Sequence, residues 1–135
     1  MVLSGVRVLE DKSIISVSRD GHVNEYELTV SEDDTNWGKL PYELMRKNLP
    51  GISNKGVVTL AALKVYLLLI SKRPNQNTAI AIGHDKIRDE TGIQARHVRP
   101  ALDILINHAL IRISVDEKSS HYGNHNVYAI LGLKV

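Results

Sequence analysis

Short alternations of apolar and polar residues open the chain. Val6 and Val8 alternate with polar neighbours, Ile15 and Val17 do the same, and Tyr26, Leu28 and Val30 form a third run. A period of two places such residues on one face of a strand. Glu10-Asp11-Lys12 separates the first two runs and Asp20-Gly21 the next two. Asp-Gly between alternating runs favours a hairpin. The pattern predicts a small antiparallel β-meander of three strands, with Arg7, Ser16, Glu25 and Glu27 on its polar face. Three short strands are barely stable alone, so the apolar face is expected to pack on the second part of the chain. Ser31 to Asn36 is polar and acidic and reads as a linker, which sets a first segment of residues 1–36.

From residue 37 the period changes. Leu40 to Met45 predicts a short helix with Pro41 in its first turn, ended by Pro50-Gly51. Val57 to Ser71 is apolar on nearly every side: Leu60, Leu63, Leu67 and Ile70 share one face, and Val58, Ala62, Val65 and Leu69 fill others. Such a helix is expected at the centre of a core. Lys72 to Asn77 is a polar loop, and Ala79 to Ile82 suits a short strand. Asp85 to Glu90 predicts a brief helix with Ile87 inward, stopped by a left-handed Thr91-Gly92. A further helix starts near Gln94. With Gln94 as its N-cap, Ile93 and Val98 occupy the positions of a hydrophobic staple. Val98, Leu102, Leu105 and Ala109 recur at helical spacing as its buried stripe. Two strand-like runs follow, Leu110 to Val115 and Asn126 to Leu131, joined by a polar stretch.

Composition narrows the picture. With 135 residues, the chain favours one domain, or one with a small appendage. It is 43% hydrophobic and 24% charged, as ordinary globular proteins are. Phenylalanine is absent, so aliphatic side chains must build the core. Cysteine is absent too, which excludes disulfides, cysteine-ligated zinc, iron–sulfur clusters and thiol nucleophiles. The apolar run Val57 to Ile70 is interrupted by Lys64 and falls short of the roughly 20 residues a bilayer span needs. Met1 to Glu10 lacks the basic start and long apolar run of a secretory leader. A cytoplasmic protein away from membranes is the expectation.

Charge is split unevenly. Residues 1–36 carry three basic and eight acidic groups, a net −5, whereas residues 37–135 carry fourteen and seven, a net +7. A basic domain suits a polyanion, because each neutralised phosphate releases condensed counterions. It equally suits a solvated surface.

The order of elements carries a resemblance. Leu63-Lys64-Val65-Tyr66-Leu67-Leu68-Leu69, then Lys86-Ile87-Arg88-Asp89-Glu90-Thr91-Gly92-Ile93, then Val98-Arg99-Pro100-Ala101-Leu102-Asp103-Ile104-Leu105 and Ala109-Leu110-Ile111 are similar to the winged helix-turn-helix domains of phage and plasmid replication initiation proteins. Lys39-Leu40-Pro41-Tyr42-Glu43-Leu44 resembles their lead-in. The likeness covers about residues 37–131 and implies an α+β protein. Its parts would be a β-meander over 1–36 and a winged-helix domain over 37–135, with a three-helix core and a C-terminal hairpin wing. It also implies a double-stranded DNA-binding protein acting in initiation or control of replication of a phage or plasmid-like element. Winged-helix transcription repressors share much of the pattern. A protein–protein interaction module on the same scaffold is a further alternative.

In a helix-turn-helix the second helix enters the major groove with its N-terminal residues on base edges. Here these are Gln94, Arg96, His97 and Arg99. Arginine forks match the paired acceptors of guanine, and glutamine pairs with adenine. Arg96, Arg99 and Asp103 fall in line opposite the buried stripe, and Asp103 lies one turn beyond Arg99, where it can hold the guanidinium. Pro100 removes one backbone bond, to Arg96, so the helix starts later or bends. Lys86 and His84 open the preceding helix, where anions are favoured. Lys72 and Arg73 are further phosphate candidates. In the wing loop, Lys118, Ser119, His121, Tyr122 and Asn124 suit the minor groove or the flanking backbone.

Enzymatic readings find little. His121 and His125 are four apart, but Tyr122 stands where a zinc-protease motif has glutamate, and no third ligand is near. No Gly-rich phosphate loop and no nucleophile–histidine–acid spacing occurs. The expectation is a non-enzyme without metal or cofactor. Homodimerisation is expected as an option, without a heptad or self-pairing strand to specify it. The acidic 1–36 segment is expected to serve protein contacts: docking of a replication or regulatory protein, dimerisation, or occlusion of the basic face in the absence of DNA.

Overall fold

Ten residues at the start of the chain, Val2–Asp11, form a helix (α1) where the first strand was expected. The alternation of Val6 with Val8 misled because it is brief. Val2, Val6 and Leu9 recur at spacings of four and three, and this longer pattern wins. The computed structural model describes residues 2–29, 38–115 and 126–133. The chain is α+β, with five α-helices and two small antiparallel sheets among these residues. It divides into two compact units, Met1–Trp37 and Gly38–Val135.

In the first unit, α1 ends as Ser13 takes a left-handed φ of 56°, with Ile14 N–H donating to Leu9 C=O at 2.9 Å. Strands Ile15–Ser18 (β1) and Glu25–Leu28 (β2) then pair antiparallel. Ile15 sits opposite Leu28 and Val17 opposite Tyr26, so these four share a face. Gly21 lies in the connecting loop at φ 112°, a conformation that glycine adopts without strain. Arg19, just past β1, ion-pairs with Glu10 of α1. The predicted meander is therefore one hairpin behind one helix. None of its described side chains is buried.

The second unit starts with Tyr42–Asn48 (α2), capped by Pro41 and continued by a 3-10 turn, Leu49–Gly51. The long helix Val57–Lys72 (α3) packs against Ala95–Asn107 (α5), and His84–Thr91 (α4) lies across both. The core is aliphatic with two tyrosines. Val65, Tyr66 and Leu69 of α3, Ile87 of α4, Val98, Leu102 and Leu105 of α5, and Ile111 and Tyr128 of the sheet are all essentially inaccessible. Strands Ala79–Ala81 (β3), Ile111–Val115 (β4) and Asn126–Ile130 (β5) form a sheet of order β3-β5-β4. Tyr128 in the middle strand faces Ile80 on one side and Ile113 on the other.

Two expectations for the helices change. α3 buries Ala61, Ala62, Val65, Tyr66, Leu68, Leu69 and Ile70, but Val57, Leu60, Leu63 and Leu67 stay open to solvent. Its apolar circumference exceeds what α5 and the sheet cover. Ala109 is not part of the buried stripe of α5. The helix stops at Asn107, and Ala109 is exposed with φ 53°. His108 caps this end, its Nδ1 2.9 Å from Ile104 O and its Nε2 3.2 Å from Gly51 O, which ties α5 to the 3-10 turn.

Candidate nucleic-acid interface

The turn between α4 and α5 is three residues long, and its geometry explains how α5 is aimed. Gly92 caps α4 in the left-handed region (φ 70°, ψ 14°), with its N–H on Arg88 O at 2.8 Å. Thr91 Oγ1 donates to Ile87 O at 2.5 Å and accepts from Ile93 N–H at 3.4 Å, which braces the turn. Ile93 packs against the core and Val98 is buried, as a staple requires. Gln94 is the N-cap of α5 in extended conformation, but its side chain makes no capping bond. The amide of this exposed residue remains free to meet a ligand.

α5 turns Val98, Ala101, Leu102 and Leu105 inward and Arg96, Arg99 and Asp103 outward. Arg96 Nε donates to His97 Nε2 at 3.1 Å, so the His97 ring accepts there, while the outer nitrogens of Arg96 stay open. No ion pair joins Arg99 to Asp103 among the described residues, so the expected clamp is absent and the Arg99 fork is unengaged. Pro100 does not delay the helix, which begins at Ala95. Pro100 has no N–H to give the Arg96 carbonyl, and Arg96 is an exposed residue. His84, Arg99, Asp103 and Asn126 come together around a cavity of about 260 Å³ between α4, α5 and the sheet. Asn126 was not legible as a site residue, because strand pairing alone brings it there.

The other candidates separate. Lys86 Nζ lies 2.9 Å from Glu90 Oε1, and Lys72 Nζ lies 3.3 Å from the same oxygen. Hydrogen bonds from Lys86 and Lys72 hold the Glu90 carboxyl below the usual range, and the Glu90 bond raises Lys86. Both lysines thus already have a carboxylate partner. Arg73 cannot meet a phosphate as expected. It is 4% exposed, and its Nη1 donates to Pro74 O at 3.1 Å and also to Asn77 O. The loop after α3 folds over it, so its charge serves the loop. Lys118, Ser119, His121, Tyr122 and Asn124 lie outside the described residues. Among the described residues no group of three or more His, Asp or Glu is placed to hold a metal ion, and no helix is long and apolar enough to cross a membrane.

No family model, curated protein or solved structure matches this chain.

Proposed function

We propose that the Gly38–Val135 unit is a winged helix-turn-helix domain that binds double-stranded DNA through α5, in a cytoplasmic protein that is not an enzyme. The observation that carries the reading is an arginine ridge without carboxylate partners on a helix locked in place by its opposite face. Arg96 and Arg99 stand on that ridge near the N-terminus of α5, and the free side chain of Gln94 stands beside them. Backbone N–H groups of the first turn add an anion-attracting end. The helix–strand–helix–helix–strand–strand order of α3 to β5, with β3 beside β5, fits the architecture. The basic balance of the unit supplies long-range attraction to phosphate. A role in initiating or controlling replication of a phage or plasmid-like element rests on the sequence resemblance alone.

Fluorescence anisotropy with a mixed-sequence duplex across a salt series tests the proposal. Affinity should fall steeply with salt. Arg96→Ala/Arg99→Ala should lose about 1–3 kcal/mol per arginine if each reads a base. Duplex binding that ignores the double substitution removes α5 from the interface, and no binding at low salt removes DNA.

A further inference from the structure

Beside the arginine ridge runs a groove that DNA does not suit. It lies between the N-terminal turns of α3 and α5 and holds about 320 Å³. Val57, Leu60 and Ile93 line it with apolar surface, and Lys64, Arg96 and His97 add polar and basic groups. Val57 is 65% and Leu60 55% exposed. Leu67, 56% exposed, continues the strip one turn beyond Lys64. No carboxylate is among the groove's lining residues. Phosphates gain nothing from open valine and leucine. Apolar side chains do, and exposed apolar residues rimmed by polar groups suit a protein partner. The basic groups then select the charge of what arrives.

We propose that this groove receives an acidic amphipathic helix of a partner protein, with apolar residues seated on Val57, Leu60 and Ile93 and carboxylates on Lys64 and Arg96. An amphipathic helix in an apolar groove uses anchors three and four residues apart, the same spacing as Val57, Leu60, Lys64 and Leu67. Arg96 and His97 belong both to the groove and to the α5 end assigned to DNA. A bound helix therefore competes with duplex for them; this competition, though not the groove itself, rests on the DNA reading.

The probe is a fluorescein-labelled synthetic helix of leucine and glutamate in amphipathic order, with one control peptide carrying lysine for glutamate and another carrying serine for leucine. The full chain should bind the first and neither control. Leu60→Ser and, separately, Lys64→Glu should each weaken that binding about tenfold, with circular dichroism showing both variants folded. Lys64→Glu should also gain affinity for the lysine peptide. Binding that is equal in wild type and both variants, or absent, overturns the proposal. So does sedimentation showing a wild-type dimer that Leu60→Ser dissolves, since the strip then belongs to a second copy. Duplex is titrated in parallel. Leu60→Ser should leave its affinity within about twofold of wild type, as Leu60 is on no phosphate-facing ridge. If duplex never binds while the peptide does, the DNA reading fails and the groove stands.

Discussion

The two units use the same local device and reach different ends. In the first, Ile15, Val17, Tyr26 and Leu28 stack across a hairpin, yet Tyr26 is 53% and Leu28 68% exposed. In the second, Ile113 and Tyr128 stack across strands in the same way, and Tyr128 is inaccessible because α3 and α5 supply a second layer. A sheet face is worth its apolar area only when another layer removes it from water. Pairing sets the face, and the count of packed layers sets the energy. The comparison also works within the second unit. α3 is buried where α5 meets it and open along Val57, Leu60 and Leu67, which no other element covers among the described residues.

The strongest test of this contrast is truncation on both sides of it. Ile87→Ala, in the core between α3, α4 and α5, should cost about 2–5 kcal/mol in urea denaturation. Leu28→Ala should stay within about 0.5 kcal/mol, because its side chain is already in water. Comparable losses would mean that the first unit owns a core as well.

Gly132→Ala should come next. Gly132 has φ 80°, and a Cβ placed there would lie 2.8 Å from Leu44 Cβ. Strain and clash together should cost about 1–3 kcal/mol, read as a drop in Tm. An unchanged Tm would mean that α2 yields freely.

Tyr66→Phe should be neutral or stabilising by up to about 1 kcal/mol, since the Tyr66 hydroxyl is buried with no partner among the described residues. Burial pushes the Tyr66 phenol up from 10.0 to about 12. The unfolded chain therefore releases this proton first. The associated stability is intact below pH about 10 and drains away as pH rises toward 12. Unfolding followed through that window should show a shallower alkaline loss in Tyr66→Phe than in wild type. An equal loss would place the titration elsewhere.

The smallest effect belongs to Glu90, whose carboxyl Lys86 and Lys72 hold below its usual range. Its contribution is present above the unfolded carboxylate pKa and disappears as pH falls through the folded one. Glu90→Gln should remove a slight acid-side loss that high salt also removes. A salt-independent loss would mean that the cluster is better shielded than its exposure indicates.

Where apolar spacing extends over three or more turns, the chain is readable from its letters. α3 and α5 begin and end close to their predicted positions, and Gly92 is the expected left-handed stop, because these features depend on local periodicity and backbone sterics. α1 is misread from Val6 and Val8 alone, since their spacing of two matches a strand but a single pair is too short to set the period. The site divides the same way. The alignment of Arg96, Arg99 and Asp103 follows from helical geometry. The burial of Arg73, the Lys72–Glu90–Lys86 cluster and the position of Asn126 depend on contacts between residues far apart in sequence. The open strip on α3 was hidden for a related reason. Hydrophobicity reports what prefers to leave water, not whether something stands ready to cover it.

The close approach of Gly132 to Leu44 and Pro41 has a topological consequence. It brings the exit of β5 against the start of α2, so the first and last elements of the second unit meet at one spot, like a loop of string pinched at its knot. A short bridge there would let the polypeptide be cut at a surface turn and rejoined in a new order with every core contact kept.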